Sequence, residues 1–444
     1  MEQVNTRELF PPEDRFSKRL PIYRVLTLAL ITLAVVTCSV QQILRRDGDP
    51  YLFIHAARLF MQGQDIYTIP DQHGAYYYYP PFFAFVNIPL SFLPAALVVV
   101  LWSLASVFLL AWTMAAFYAG LTGQPFLSRP AKDRWVVCFF ATLLTARFII
   151  LHLRFGSSNG LVLALAVLGL TLLARQKFVS AGIAIGFSMV VKLTTLPFGF
   201  WFLIRRDGRV LAGMVLAGLI GFLVPACVVG LRKDISYHRE WLHQVVLFNA
   251  PGTGSWAGNG NLSPRAQADR FFLNVDAFVY KGKLYRVTIV ELPPKVVRVI
   301  GQLLMLSVAL GIAFYALRFR NAPTLVSQWG GFALIFSLMP SFSSVSLIPH
   351  LVVLLPAHIY VVYVWYHGLT TDRIFRGLVV LSFIFASLTT KVFVGLFLSR
   401  LLPSLGCVSF GLLLLSASIF RAAICIERSS KDNAGSHPLP DRCG

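Results

Sequence analysis

Four aspartates, Asp47, Asp49, Asp65 and Asp71, fall within 25 residues of a chain that has only 19 acids among its 444 residues. At that rate roughly one acid is expected in such a window. A carboxylate set against apolar surroundings has its pKa raised toward neutrality, which suits it to take a proton from a hydroxyl. Asp49 is the best placed for that, yet Pro50 follows it. The pair therefore also reads as a helix N-cap with proline at the first helical position, where capping alone contributes ~1 kcal/mol. Both readings stand on local grounds. Asp47, Asp65 and Asp71 read as solvated loop acids, and His55 and His73 lack metal-ligand spacing to each other. Far along the chain, Lys192 sits deep in an apolar run. An ammonium there costs ~2.5–3.5 kcal/mol on insertion scales, which marks it as a partner for a lipid phosphate or a buried carbonyl cluster. Snorkelling of its long stem to an interface is the alternative. His350 stands near the start of another apolar run, where it could equally be a packing residue. Asn159 and Asn259 stand in Gly/Ser-rich and Gly/Asn-rich corners, and a helix cap or a turn is the plain reading of each.

These residues must be held by membrane-embedded helices. The chain is 57% hydrophobic and 13% charged, with mean hydropathy +0.70, where soluble domains run nearer 25% charged. The net charge of +20 lies mostly between apolar spans, so it points to topology and anionic lipid heads and excludes a nucleic-acid partner. Cys38, Cys138, Cys227, Cys407 and Cys425 fall in apolar segments and read as small hydrophobes, not as a disulfide or zinc framework. Spans are expected at 23–43, 96–119, 135–153, 159–174, 179–204, 210–231, 295–317, 323–340, 345–365, 377–398 and 404–424, with 81–94 as a short or tilted one, about twelve in all. The fold class is thus an all-α polytopic membrane protein. A cytoplasmic segment, residues 1–22, leads into a retained signal anchor. One transmembrane domain covers 23–424, and 425–444 is a cytoplasmic, disordered tail.

Lys/Arg bias sets the orientation. Lys18, Arg19 and Arg24, then Arg205, Arg206 and Arg209, Arg318 and Arg320, Arg373 and Arg376, and Arg428 and Lys431 mark cytoplasmic ends. The segments 44–80, 232–294, 341–345 and 399–403 are then outside. Arg129, Lys132 and Arg134, and the Arg175–Lys177 pair, break the count if every span crosses fully. A re-entrant or broken segment between 81 and 204 would repair it. In the first outer loop, "DPYLFIHAARLFMQ" predicts an amphipathic helix on the membrane surface, closed by Gly63. The tyrosines of "AYYYYPPFF" fall at interfacial depth. In the second, "YHREWLHQVVLF" predicts another interfacial helix, anchored by Trp241 and Phe248.

The stretch "DPYLFIHAARLFMQGQDIYTIPDQHGAYYYYPPFFAFVNIPLSFLP" resembles the first outer loop of glycosyltransferase family 87, the polyprenol-phosphate-mannose-dependent mannosyltransferases of the GT-C fold. Asp49, Ala56–Ala57, Gly63, Tyr67, Tyr79–Pro80–Pro81 and Pro89–Leu90 stand in that family's order. Further matches are Gly156 and Asn159, with Ser157 in place of a glutamine, and the Gly-rich span that ends at Lys192. Gly258, Asn259 and Arg265 follow, with Gly260 in place of a glutamine, then Pro340 and His350, without the family's Trp and first His.

The resemblance implies a GT-C fold with outer-face loop helices and an enzyme of the bacterial cytoplasmic (inner) membrane. Its donor would be a polyprenyl-phosphate sugar, with mannose the expected sugar, and its acceptor an envelope glycolipid or glycan at the outer face. Asp49 is the implied general base of a single inverting displacement. His350, Lys192, Asn159, Asn259, Tyr79, Arg45 and Arg58 are the implied donor and acceptor contacts. No metal site is expected, although the Asp47-Gly48-Asp49 triplet leaves a divalent ion open. The alternative class is a multi-pass flippase or transporter of lipid-linked sugars, which about twelve spans and Lys192 would also suit. A non-catalytic envelope scaffold is a third.

Overall fold

The structure, a computed structural model, describes residues 20–247, 258, 260–320, 322, 324–343 and 345–435. Helix makes up nearly all its regular structure. In chain order the helices are α1 (Leu20–Arg45), α2 (Asp49–Met61), α3 (Pro81–Val86), α4 (Ala95–Thr122), α5 (Ala131–Phe155) and α6 (Asn159–Ala174). Then come α7 (Phe178–Val191), α8 (Leu196–Arg205), α9 (Gly208–Leu223), α10 (Ala226–Val229), α11 (Leu231–Trp241) and α12 (Pro264–Phe272). The last six are α13 (Pro294–Arg318), α14 (Leu325–Leu338), α15 (Leu355–Tyr366), α16 (Arg373–Ser387), α17 (Lys391–Ser404) and α18 (Cys407–Gly435). Among the described residues the one sheet is a small hairpin, in which β1 (Phe278–Tyr280) pairs antiparallel with β2 (Lys283–Tyr285).

Seven helices are long and apolar enough to cross a bilayer, or eight if α16 and α17, bent by 76°, count as one span. Three further apolar stretches, Ile31–Arg45 within α1 and the helices α6 and α7, are shorter, so twelve full spans are not confirmed among the described residues. Two of the segments that fall short bear on the site. Residues 81–94 fold as α3 and a 3-10 turn, Ile88–Phe92; six residues of α-helix span only about 9 Å. The expected span 179–204 is two helices, α7 and α8, that meet where Lys192 is extended at φ −160° and ψ 125°. Just past the end of α8, Arg209 at the start of α9 lies over the ring of Phe178, the first residue of α7, at 4.1 Å, so the hairpin leaves the side it entered. Lys192 is its tip.

Contacts sort the helix termini into two ends. Asp133 of α5 accepts a hydrogen bond from the Tyr366 hydroxyl at the close of α15, at 3.0 Å. Arg205 donates to the Arg320 carbonyl at 3.0 Å, Arg318 pairs with Glu427, and Arg421 pairs with Asp372. Arg129, Lys132, Arg134, Arg175 and Lys177 therefore join the other basic turns at one end, and the topological conflict is resolved by the short 81–94 segment and the 178–205 hairpin. The opposite end carries the loops that follow α1 and α11, and Lys192.

Between the ends, α14 and α15 are buried on nearly all sides, as helices without a polar face must be. Gly120 lets α4 close on α14, since a Cβ there would meet the Trp329 ring at 1.9 Å.

Three expectations about local structure change. The helix α2 does not lie on a surface with one face wet: Leu52, Phe53, Ile54, Ala56, Ala57, Leu59 and Phe60 are all buried. Its polar residues Tyr51, His55 and Arg58 form only a narrow stripe at helical spacing, so most of its circumference has to be covered. Phe53 packs edge-on to Tyr79, Phe83 and Trp102, and Phe60 packs on Tyr237 of α11. The helix α18 continues to Gly435, into the stretch expected to be a disordered tail. The second interfacial helix ends at Trp241 and passes into a π-helical turn, Leu242–Leu247; Phe248 lies outside the described residues.

Candidate active site

Asp49 is the first residue of α2, and Gly48 is its N-cap, with no side-chain capping bond. The capping role read from Asp49–Pro50 is therefore shifted by one residue, which leaves the Asp49 carboxylate to other work. Its Oδ2 accepts a hydrogen bond from the Tyr79 hydroxyl at 2.8 Å. Burial pushes the Asp49 carboxyl above the usual carboxylate range, against the opposing effects of the Tyr79 hydrogen bond and the Lys192 charge. Tyr79 belongs to an extended stretch in which Tyr77 and Tyr79 are buried while Tyr76 and Tyr78 are exposed, as a period of two requires. Its carbonyl accepts from the Tyr67 hydroxyl at 3.0 Å, and its ring packs on Phe53 and Phe83.

The second half of the site is built around the hairpin tip. Lys192 Nζ donates to Asn159 Oδ1 at 3.1 Å and lies 3.1 Å from His350 Nε2. It also lies 5.5 Å from the centre of the Tyr79 ring, within cation–π range. Asn159 opens α6, and its Nδ2 donates to Ser157 Oγ at 2.9 Å. Ser157 Oγ is 2.6 Å from Nδ1 of the buried His152. His350 sits in the first turn of the 3-10 segment Ile348–Leu354, where the Leu347 backbone N–H donates to its Nδ1 at 3.2 Å. That segment is fastened to the second loop by a bridge between Asn261 and Leu347. The Asn261 side-chain oxygen accepts from the Ser346 N–H at 3.0 Å.

Of the eight residues expected at the site, Asp49, Tyr79, Asn159, Lys192 and His350 thus come together from five separate segments. Arg58 does not join them. It lies nine residues along α2 from Asp49, about 13 Å at helical rise, and donates to the Ser91 carbonyl at 3.2 Å. Arg45 is exposed at the close of α1. Among the described residues neither arginine hydrogen-bonds to the cluster. Asn259 lies outside the described residues.

The sequence reading misses His152, has Ser157 only as the replacement of a glutamine, and takes Asp47 for a solvated loop acid. Asp47 instead forms a two-bonded pair with Arg154, at 3.0 and 2.9 Å. The signal for all of them was the polar cluster "HLRFGSSN" between two apolar spans. No group of three or more His, Cys, Asp or Glu that could hold a metal ion occurs among the described residues.

A polytopic helical protein that holds a carboxylate, a phenol and an ammonium–imidazole pair at one end of its bundle has the parts for group transfer to a hydroxyl. The family model of glycosyltransferase family 87 matches residues 77–340, more than half of the chain, and the chain belongs to that family. It is a membrane glycosyltransferase. The matched region includes Tyr79, Asn159 and Lys192; it starts after Asp49 and ends before His350. Neither the comparison with curated proteins nor that with solved structures returns a match.

Proposed function

We propose that the protein transfers a hexose, mannose, from a polyprenyl-phosphate donor to a glycolipid or glycan hydroxyl at the outer face of a bacterial cytoplasmic membrane. The observation that carries this reading is the pairing made by Tyr79. Its hydroxyl holds Asp49 at 2.8 Å, and its ring faces Lys192, which is joined to His350. A proton acceptor at its hydroxyl and a cation over its face thus meet one aromatic ring, and no salt bridge joins the two among the described residues. In a single displacement, Asp49 takes the acceptor proton while the acceptor oxygen attacks the anomeric carbon. The bond from that carbon to the phosphate oxygen breaks, and its electron pair leaves on the polyprenyl phosphate. Inversion at the anomeric carbon follows from the single step.

Lys192 and His350 meet the charge that develops on the phosphate, as preorganised donors do for an oxyanion. Asn159 holds the lysine in place. The gathering of basic turns at the opposite end supports an outer placement of this site. A prenyl tail would lie among the apolar helix faces, and membrane lipids cover the rest.

The donor class is tested with protein purified into nanodiscs and offered radiolabelled polyprenyl-phosphate mannose or GDP-mannose, each with a glycolipid acceptor extract. Transfer from the lipid-linked sugar alone supports the reading. Turnover of the nucleotide sugar without a lipid carrier contradicts it.

A further inference from the structure

We propose that the Asp47–Arg154 ion pair is a positioning device for Asp49, and that Asp47 is therefore not a second base. This rests on the assignment of Asp49 as the base. Both carboxylate oxygens of Asp47 are taken by Arg154, Oδ1 by Nη1 at 3.0 Å and Oδ2 by Nη2 at 2.9 Å. Such a planar fork fixes direction as well as distance. Asp49, two residues on, faces Tyr79.

The residue between them makes that divergence possible. Gly48 has φ +104°, and a Cβ there would meet Gln42 Oε1 at 3.0 Å and the Phe155 carbonyl at 3.1 Å. Only glycine adopts this backbone without strain, and only glycine leaves the space.

The close of α5 grips the other neighbours of Asp49 as well. Gln42, buried, donates to the Leu153 carbonyl at 2.6 Å. Gly156, at φ +63°, lies so close beneath Pro50 that a Cβ on it would meet the proline ring at 2.5 Å. Residues 153–156 thus touch the chain on both sides of the base: Gln42, Asp47 and Gly48 before it, and Pro50 after it.

The same corner continues directly into Ser157, which accepts from the Asn159 amide, and Asn159, which accepts from Lys192. One turn of chain therefore fixes both the carboxylate and the cation, and the distance between them is set by the corner. A displacement of the base by about 1 Å can cost on the order of 10²-fold in rate. The ion pair is the corner's only charged grip on the turn that leads into Asp49 among the bonds described above, so it is the contact whose loss should be felt at the base.

The test uses the full chain in nanodiscs, with polyprenyl-phosphate mannose as donor. Arg154→Gln is expected to lower kcat about tenfold while the donor KM stays unchanged, since positioning acts on the transition state. Arg154→Lys, which keeps the charge but not the fork, should recover part of that loss. In an Asp49→Asn background, Arg154→Gln should have no further effect, because residues that act as a unit are non-additive. A kcat unchanged in Arg154→Gln, with Asp49→Asn inactive, overturns the positioning role alone. The same fractional loss in the Asp49→Asn background as in wild type makes Arg154 a general structural residue and also overturns it. Wild-type turnover in Asp49→Asn removes the base assignment and the proposal together.

Discussion

At the basic end of the bundle, charges neutralise one another. Glu427 holds Arg318 and Asp372 holds Arg421. At the other end Asp49 accepts from a phenol, and Lys192 donates to an amide oxygen beside an imidazole. The contrast recurs two residues apart, because Asp47 is fully engaged by Arg154 while Asp49 has no guanidinium partner among the described salt bridges. A carboxylate already paired with arginine is a poor base, since the pair stabilises its ionised form. Keeping opposite charges near each other but apart costs stability and leaves each able to act on a substrate. On the proposed reading, the pairs at the basic end orient the bundle, and the unpaired Asp49 and Lys192 at the other end act in the transfer.

If that contrast is right, the largest loss follows Asp49→Asn. Folding should be preserved, because Asp49 makes no capping bond and an amide oxygen can still accept from Tyr79. Transfer should fall by roughly 10²-fold or more, measured beside a size-exclusion profile that matches wild type. Lys192→Met tests the cationic side. Removing one preorganised donor for the leaving phosphate should cost on the order of 10²-fold in kcat, read from steady-state transfer.

Tyr79→Phe sharpens the comparison because it removes the phenol but keeps a ring for Lys192. Turnover should drop by about tenfold, within the range for a positioned acid–base group. The hydrogen bond from Tyr79 lowers the Asp49 pKa, so its loss raises it. Asp49 works as a base only when ionised, and the acid limb of the pH–rate profile should therefore move to higher pH. A limb that stays in place would separate that limb from Asp49.

The smallest effect is expected at the opposite end. Arg318 is 45% exposed in its pair with Glu427, so Arg318→Gln should cost ~0–1 kcal/mol in stability, with transfer unchanged. A loss of activity there would dissolve the distinction between the two ends.

Much of this site was legible as residue types in improbable places. An aspartate cluster in an acid-poor chain marked Asp49, and an ammonium inside an apolar run marked Lys192. Their meeting was not legible, because Lys192 reaches His350 across 158 residues. A hydropathy window of about 20 residues averages one lysine away, so 179–204 reads as a single span when it is a hairpin with Lys192 at its tip. Packing that no window sees holds α7 to α9 instead: Gly182 lies so close to α9 that a Cβ would meet the Val210 carbonyl at 2.0 Å. The helix α2 was read correctly in its limits and wrongly in its environment. Leu52, Ala56, Leu59 and Phe60 make one apolar face, but Phe53, Ile54 and Ala57 are buried as well, and the polar stripe is too narrow to leave the rest of the helix wet. Arg154 and His152 were hidden because a charge or an imidazole beside a glycine corner is usually only the end of a helix.

The central claim is that the donor phosphate rests against Lys192 while the sugar faces Asp49. An electron cryo-microscopy map of Asp49→Asn protein in nanodiscs, saturated with polyprenyl-phosphate mannose, tests it directly. The account predicts phosphate density within hydrogen-bond reach of Lys192 Nζ and His350, with the sugar between that phosphate and residue 49. Phosphate density at the opposite end, beside Arg129 and Asp133, or a sugar turned away from residue 49, would contradict it.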